Sequence, residues 1–218
     1  DTLWPPTAIS TFSGDIEQLA LDESGGSMND VKVDGVLESF YGTPIYSGFT
    51  SYLDQLVSDN LIKDWEPLPY DWRLSPERII TDGVKTNAGV INLADEVERL
   101  ASESYSNKVA IVVHSYGGLV GKALIQELIN RGDQDLVESF VLVGSPQLGT
   151  PQAVASILHG AGEGILGGII VNPASSRAVA QNMESAYHLL PSRTYFDVVA
   201  DKPIYFDGNS SFTQEWRD

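Results

Sequence analysis

The sequence predicts an α/β protein with a mostly parallel sheet flanked by helices. Three observations carry this reading. Val109-Ala110-Ile111-Val112-Val113 is an apolar run rich in β-branched residues, the pattern of a strand buried on both faces of a parallel sheet. Phe140-Val141-Leu142-Val143 repeats that pattern. Between them Leu119, Val120, Ala123, Leu124 and Leu128 recur at helical spacing. Strand, helix and strand thus follow one another as a parallel crossover requires.

The other elements follow in chain order. Ser24–Ser27 is a small-residue loop. Residues 31–38 alternate apolar and polar and run into Tyr41-Gly42-Thr43-Pro44, which predicts a short strand or hairpin arm and then a turn. Phe49, Tyr52, Leu53, Leu56, Val57 and Leu61 form one helical stripe over 48–62. Leu68 to Trp72, between Pro67 and the Ser75-Pro76 break, predicts a short strand with a loop. Over 86–105 a second stripe runs through Val90, Leu93, Ala94, Val97, Leu100 and Ala101, with Glu96, Glu98 and Arg99 outside it. The helix after the first buried strand ends near Arg131-Gly132. Residues 160–172 are a Gly-rich apolar loop, and 174–190 resume helical spacing up to Pro191.

Composition narrows the function. The 218 residues hold 13 Lys+Arg against 30 Asp+Glu, a net charge of −17. Apolar residues at 42% and charged residues at 20% are globular usage, and the length fits a single domain over 1–218 with a real core. A surface this acidic repels phosphate backbones, so nucleic acid is excluded as a partner. No run reaches the roughly 20 apolar residues that cross a bilayer, so no transmembrane segment is expected. With no Cys there is no thiolate metal site or Cys nucleophile, and the compartment is left open. No cofactor and no metal is expected. Asp1 is not a start methionine and residues 1–10 contain no leader pattern, so the chain reads as a processed or partial piece.

The chemistry concentrates at Ser115. It stands between the first buried strand and its helix, followed by Tyr116-Gly117-Gly118. This is the context of a nucleophile elbow, Gly-x-Ser-x-Gly, in which a sharp turn presents the hydroxyl and the following helix aims its amides at a developing oxyanion. Gly117 meets the need for a small residue. Val113 stands where the pattern wants Gly and is expected to crowd the turn. The competing reading makes Ser115 an ordinary helix cap. His114 points away from Ser115 if strand geometry persists, so it reads as a packing or supporting histidine and not the general base.

Four separated motifs then resemble one family. Pro69-Tyr70-Asp71-Trp72-Arg73-Leu74, the segment Val113–Gly118, Gly144-Ser145-Pro146-Gln147-Leu148-Gly149-Thr150-Pro151 and Ser185-Ala186-Tyr187-His188-Leu189-Leu190-Pro191-Ser192 look like landmarks of the lecithin–cholesterol acyltransferase family, in its order. That family includes lysosomal phospholipase A2 and bacterial lipase-like relatives. The likeness spans about residues 40–195. It implies an α/β-hydrolase-like fold, incomplete here at both ends, and a serine nucleophile acting on a carboxylic ester, commonly a lipid. Carried over by position, Ser115 is the nucleophile and the Tyr116 backbone N–H an oxyanion donor. Asp71, Trp72 and Arg73 support the site, and a buried Asp–Arg pair under a Trp explains them structurally as well.

The departures from the pattern are specific. The triad order in this fold is Ser, acid, His, and in the family the acid and histidine follow a cap region. Only His159 and His188 follow Ser115, and neither sits in such a context. Nor is there a second oxyanion loop ahead of Leu3-Trp4-Pro5. The expectation is an internal portion of a lipase- or phospholipase-like ester hydrolase, or an acyltransferase, nearly inert alone. One alternative completes the triad with His188 or His159 and Asp133, Asp135 or Asp197. Another is a non-catalytic lipid-binding or interaction module on a hydrolase scaffold. Residues 160–195 read as the start of a lid or cap, suited to transient contact with a lipid interface. Asn209-Ser210-Ser211 matches the N-glycosylation pattern, and a secreted or extracytoplasmic setting is compatible with it.

Overall fold

The computed structural model describes residues 3–4, 15–40, 42–160 and 173–199. The centre is the predicted crossover. Strand β5 (Val109–His114) leads through helix α4 (Gly117–Arg131) to strand β6 (Val137–Val143), which pairs with β5 in parallel. Pairing shifts at Val109/Ala110, after which Ala110 to His114 face Ser139 to Val143 in register. Helix α4 ends where the sequence placed its stop. Gly132 is left-handed at φ +87°, and the amides of Gly132 and Asp133 return to Ile129 and Leu128, a glycine-dependent helix end.

Two hairpins and three helices precede it, after a 3-10 turn at Asp15–Leu19. A hairpin of β1 (Ser39–Phe40) and β2 (Thr43–Pro44) leads into helix α1 (Ser47–Ser58). Helix α2 (Pro76–Asp82) runs into a second antiparallel hairpin, β3 (Val84–Thr86) with β4 (Gly89–Ile91), and then helix α3 (Leu93–Glu103). After β6 come α5 (Pro151–His159), α6 (Pro173–Ala180), α7 (Glu184–His188) and α8 (Arg193–Val198).

Several expectations are corrected. Residues 31–38 form no extended strand; Val33 bridges Thr86 in parallel, and the Glu38 carbonyl accepts from the amides of Ile45, Tyr46 and Ser47 while its carboxylate accepts from Thr50 Oγ1 at 2.8 Å. Leu68 to Trp72 is irregular, held by side chains instead of a ladder. The helix expected over 86–105 begins at Leu93, because Asn92 caps it by accepting from Ala94 and Asp95, and Val90 belongs to β4. The helix expected over 174–190 breaks at Gln181-Asn182, where Asn182 Nδ2 donates to the Leu21 carbonyl. The Ser75-Pro76 break starts a helix: Ser75 Oγ accepts from Arg78 N, with Pro76 at the first position. Thr150-Pro151 starts α5 in the same way. The loop Ser24–Ser27 is a turn folded around Asp22, whose Oδ1 accepts from Ser24 N, Ser24 Oγ and Gly26 N. Most of the Gly-rich loop, 161–172, and the motif at Asn209 lie outside the described residues.

The core sits on one face of the parallel pair. Leu93, Ala94 and Val97 of α3 pack with Val120, Leu124 and Leu128 of α4, and Ile79, Ile80 and Val84 close the cluster. The face carrying Ile111, Val113 and Phe140 meets α4, and Phe140 lies where a Cβ on Gly121 would stand, at 2.8 Å. The other face is uncovered among the described residues: Val112, Val141 and Val143 are 46%, 45% and 47% exposed. The strand expected to be buried on both faces is therefore half-buried on one and open on the other, and Leu142 on the covered side of β6 is itself 45% exposed. The stripe of α1 is open too, with Phe49 and Tyr52 exposed, and the helix stops at Ser58, short of the exposed Leu61. A smaller cluster joins Ile16 and Leu19 to Val179, with Trp4 and Trp72 against it.

Candidate active site

Ser115 turns the chain from β5 into α4. Its N–H donates to the Val143 carbonyl at 3.0 Å, the last rung of the parallel ladder, and its own carbonyl accepts from Gly118 N at 3.0 Å. Between these bonds the backbone stands at φ +53°. That is the left-handed region, which costs a side-chain-bearing residue about 1–3 kcal/mol. The other non-glycine residues with positive φ are Asn60 and Asn107, and asparagine tolerates the conformation where serine does not. Ser115 is exposed. It is not the cap of α4: the capping position is Tyr116, with no side-chain cap bond. The Ser115 hydroxyl has no hydrogen-bond partner among the described residues, and the Tyr116 N–H donates to no described backbone carbonyl.

The surroundings explain the small residues. A Cβ on Gly117 would lie 3.2 Å from Tyr70 Oη and 3.8 Å from Val113 Cβ. The second distance is ordinary contact, so Val113 does not crowd the turn; the tight neighbour of Gly117 is the Tyr70 hydroxyl. Tyr116 is buried, and its hydroxyl donates to the Leu74 carbonyl at 2.8 Å. His114 is exposed on the opposite side of the strand and its Nδ1 bonds Tyr46 Oη at 2.7 Å. It anchors the strand end to the segment before α1 and makes no bond to Ser115. Sequence reading gave Tyr46 no role; an isolated tyrosine ahead of a helix carries no signal for one.

The two later landmarks meet each other. Thr150 N donates to the Leu189 carbonyl at 2.7 Å and Ser192 N to the Leu148 carbonyl at 2.9 Å. Backbone bonds thus stitch the 144–151 loop to the 185–192 segment. The first of these also packs on α4: a Cβ on Gly118 would collide with Ser145 Cβ and Oγ and approach Gln147 Nε2 at 3.0 Å. Ser145 Cβ is close to the backbone and cannot swing away. Gly118→Ala is therefore expected to cost about 1–3 kcal/mol in urea unfolding, against a near-neutral effect if that loop moves freely.

Asp71, Trp72 and Arg73 form a clamp. Arg73 Nε and Nη2 donate to the two Asp71 oxygens at 2.9 and 2.7 Å, Nη1 to the Leu19 carbonyl at 2.8 Å and Nη2 to Ser27 Oγ at 3.1 Å. Trp72 lies against Trp4, with ring centroids 5.2 Å apart. The Arg73 carbonyl accepts from Ser185 N at 3.2 Å. The signature thus joins the 19–27 loop to the second landmark, and none of the bonds described for these three residues reaches Ser115.

The spacing of these motifs is also that of a family: the lecithin:cholesterol acyltransferase pattern matches residues 37–214. The chain belongs to the lecithin:cholesterol acyltransferase family. No curated protein and no solved structure matches it. Membership makes the chain part of a group of lipid acyltransferases and hydrolases with an α/β-hydrolase-like fold. In place of the mostly parallel sheet expected, the described residues form three separate strand pairs, of which β5–β6 is parallel and the two hairpins antiparallel. No helix among these residues is long and apolar enough to cross a membrane.

None of the candidate acids and bases named from the sequence is hydrogen-bonded to Ser115. His188 Nε2 lies 3.6 Å from Glu77 Oε2 and bonds no atom of Ser115. His159 ends α5 and Asp197 belongs to α8. Asp133 and Asp135 lie at the far end of α4, around the short 3-10 turn Gln134–Leu136. The structure brings none of these into hydrogen bonding with Ser115.

One titrating group matters for stability. Burial pushes the Glu184 carboxyl up, but the Ser75 N–H at 2.8 Å and Arg78 Nη1 at 2.5 Å outweigh it and hold the group below its ordinary range. A lowered carboxyl stabilises the fold above its unfolded pKa, and that contribution is lost as pH falls through the folded value. Urea midpoints are expected to drop from pH 7 towards acid, and Glu184→Gln to narrow that drop; an unchanged drop would mean the pair is immaterial.

Proposed function

We propose that this chain is the core of a serine ester hydrolase or acyltransferase of lipase or phospholipase type, working through an acyl-enzyme on Ser115. The observation that carries the reading is the backbone of Ser115. It is exposed, left-handed at φ +53°, and unbonded through its hydroxyl to any described residue, at the end of a parallel strand and the start of a helix. Its backbone bonds to Val143 and Gly118 hold the corner, no side-chain bond to a described residue offsets the strain, and strain of this kind clusters where function needs the geometry. The corner fits the nucleophile elbow that the family pattern implies.

The chemistry follows from the positions. Ser115 Oγ adds to the ester carbonyl carbon while its proton passes to an imidazole base. The carbonyl electron pair moves onto oxygen, where the Tyr116 N–H and the α4 N-terminus receive it. Collapse expels the alcohol with the proton and leaves the acyl group on Ser115. Water or a second alcohol then takes it, and the exclusion of water decides which. None of the three histidines serves as that base where it stands, since His114 is bonded to Tyr46, His188 lies beside Glu77 and His159 does not bond Ser115.

The same fact favours a second reading, a non-catalytic lipid-binding module, as does the open apolar face of Val112, Val141 and Val143. A fluorophosphonate probe separates the two. The acyl-enzyme reading expects slow attachment confined to Ser115, and attachment elsewhere or nowhere overturns it. Full-rate attachment would bring His159 or His188 back as the base.

A further inference from the structure

Three tyrosines pack near the end of β5 and the start of α4, and the hydroxyls of two are engaged. Tyr116 donates to the Leu74 carbonyl, and Tyr46 is bonded to His114. The third, Tyr70, has no hydrogen-bond partner among the described residues. Nor is it one of the sealed polar atoms without a partner, which are Ser145 Oγ, Gln147 Nε2 and Ser185 Oγ. Its oxygen is therefore unbonded among the described residues and not fully sealed.

Its place is well fixed. The ring packs in the main core, against the Tyr116 ring with centroids 6.2 Å apart. The neighbouring Asp71–Arg73 clamp holds the backbone that follows. The oxygen lies 3.2 Å from where a Cβ on Gly117 would stand. A phenol thus reaches the first turn of α4, whose amides lie beside Ser115. Any side chain at position 117 would push it away, which gives the glycine a second reason to be bare.

We propose that the Tyr70 hydroxyl is a further hydrogen-bond donor to the acyl group at Ser115, alongside the Tyr116 N–H. The inference rests on the acyl-enzyme reading above. As Ser115 Oγ bonds to the carbonyl carbon, the electron pair of the breaking π bond gathers on oxygen and accepts from Tyr70. The serine proton goes to the imidazole base, and Tyr70 keeps its own proton throughout. Burial, reinforced by the nearby Tyr46, pushes the Tyr70 phenol well above its ordinary range. It stays protonated at neutral pH and so acts as a donor, not as the base.

The test is Tyr70→Phe in the full chain, which keeps the ring and removes an oxygen with no described protein partner. Fluorophosphonate attachment to Ser115 and turnover of a p-nitrophenyl ester are followed with the thermal midpoint. The expected result is a loss of roughly 100-fold in attachment rate and kcat, the scale of one oxyanion donor, with KM and the midpoint nearly unchanged. Wild-type attachment at Ser115 with an equal rate in Tyr70→Phe overturns this inference alone. A lowered midpoint with attachment rate and kcat unchanged assigns the hydroxyl to the fold and overturns it too. No attachment to Ser115 in the wild type overturns the acyl-enzyme reading, and this inference with it.

Discussion

Ser115→Ala is expected to abolish the slow fluorophosphonate attachment, with the fold intact; only where an imidazole base is supplied to Ser115 does the same change cut ester turnover by roughly three or more powers of ten. The hydroxyl bonds no described residue, so its removal leaves no partner orphaned. Alanine at φ +53° bears the same backbone strain as serine, so the urea midpoint should hardly move. Ser115→Gly separates strain from chemistry. Glycine adopts a left-handed φ freely, and the substitution is expected to stabilise by about 1 kcal/mol while abolishing attachment as well. A gain in stability with loss of reactivity is the signature of a corner kept strained for its hydroxyl. If glycine gains nothing, the corner is relaxed and the argument from strain fails. If alanine leaves every activity unchanged, the lipid-binding module is the better reading.

The crossover was legible because each of its residues agrees with its neighbours. The run from Val109, the glycines at 117 and 118 and the stop at Gly132 all specify the same path, and β5, α4 and β6 fall where those residues place them. The start of α2 is hidden in the sequence for one physical reason. Proline breaks a helix from inside but opens one at its first position. Ser75-Pro76 is cap and first residue, not an interruption, and Thr150-Pro151 opens α5 in the same way. Residues 86–105 were over-extended because Val90 matches the helical stripe by number, while Asn92 sets the true start. The candidate site was legible as residue types at a turn. Its geometry was not: the approach of Tyr70 to Gly117 and the bond from Tyr46 to His114 join residues far apart in sequence. The exposed face of β5 and β6 was also hidden, because an apolar run states that a face prefers burial and not which segment covers it.

The largest effect on stability is expected from Arg73→Leu, at about 3–5 kcal/mol by urea unfolding. That is a large share of a typical total of about 5–15 kcal/mol. Arg73 is 1% exposed and fills its pocket with a planar fork matched to Asp71, while its remaining N–H groups reach Leu19 and Ser27. Leucine leaves the Asp71 carboxylate half-buried with its cation gone, and the Leu19 carbonyl without its donor. Most of the cost is that orphaned charge, not the worth of the pair itself. Two further variants test this division. Arg73→Lys restores charge but not the fork, and should recover only part of the loss. Arg73→Leu combined with Asp71→Leu removes both charges, and should be less destabilising than Arg73→Leu alone despite carrying one more substitution. Additive losses in the double variant would instead assign the stability to the individual contacts, and the clamp would then be an ion pair that strengthens the fold outright.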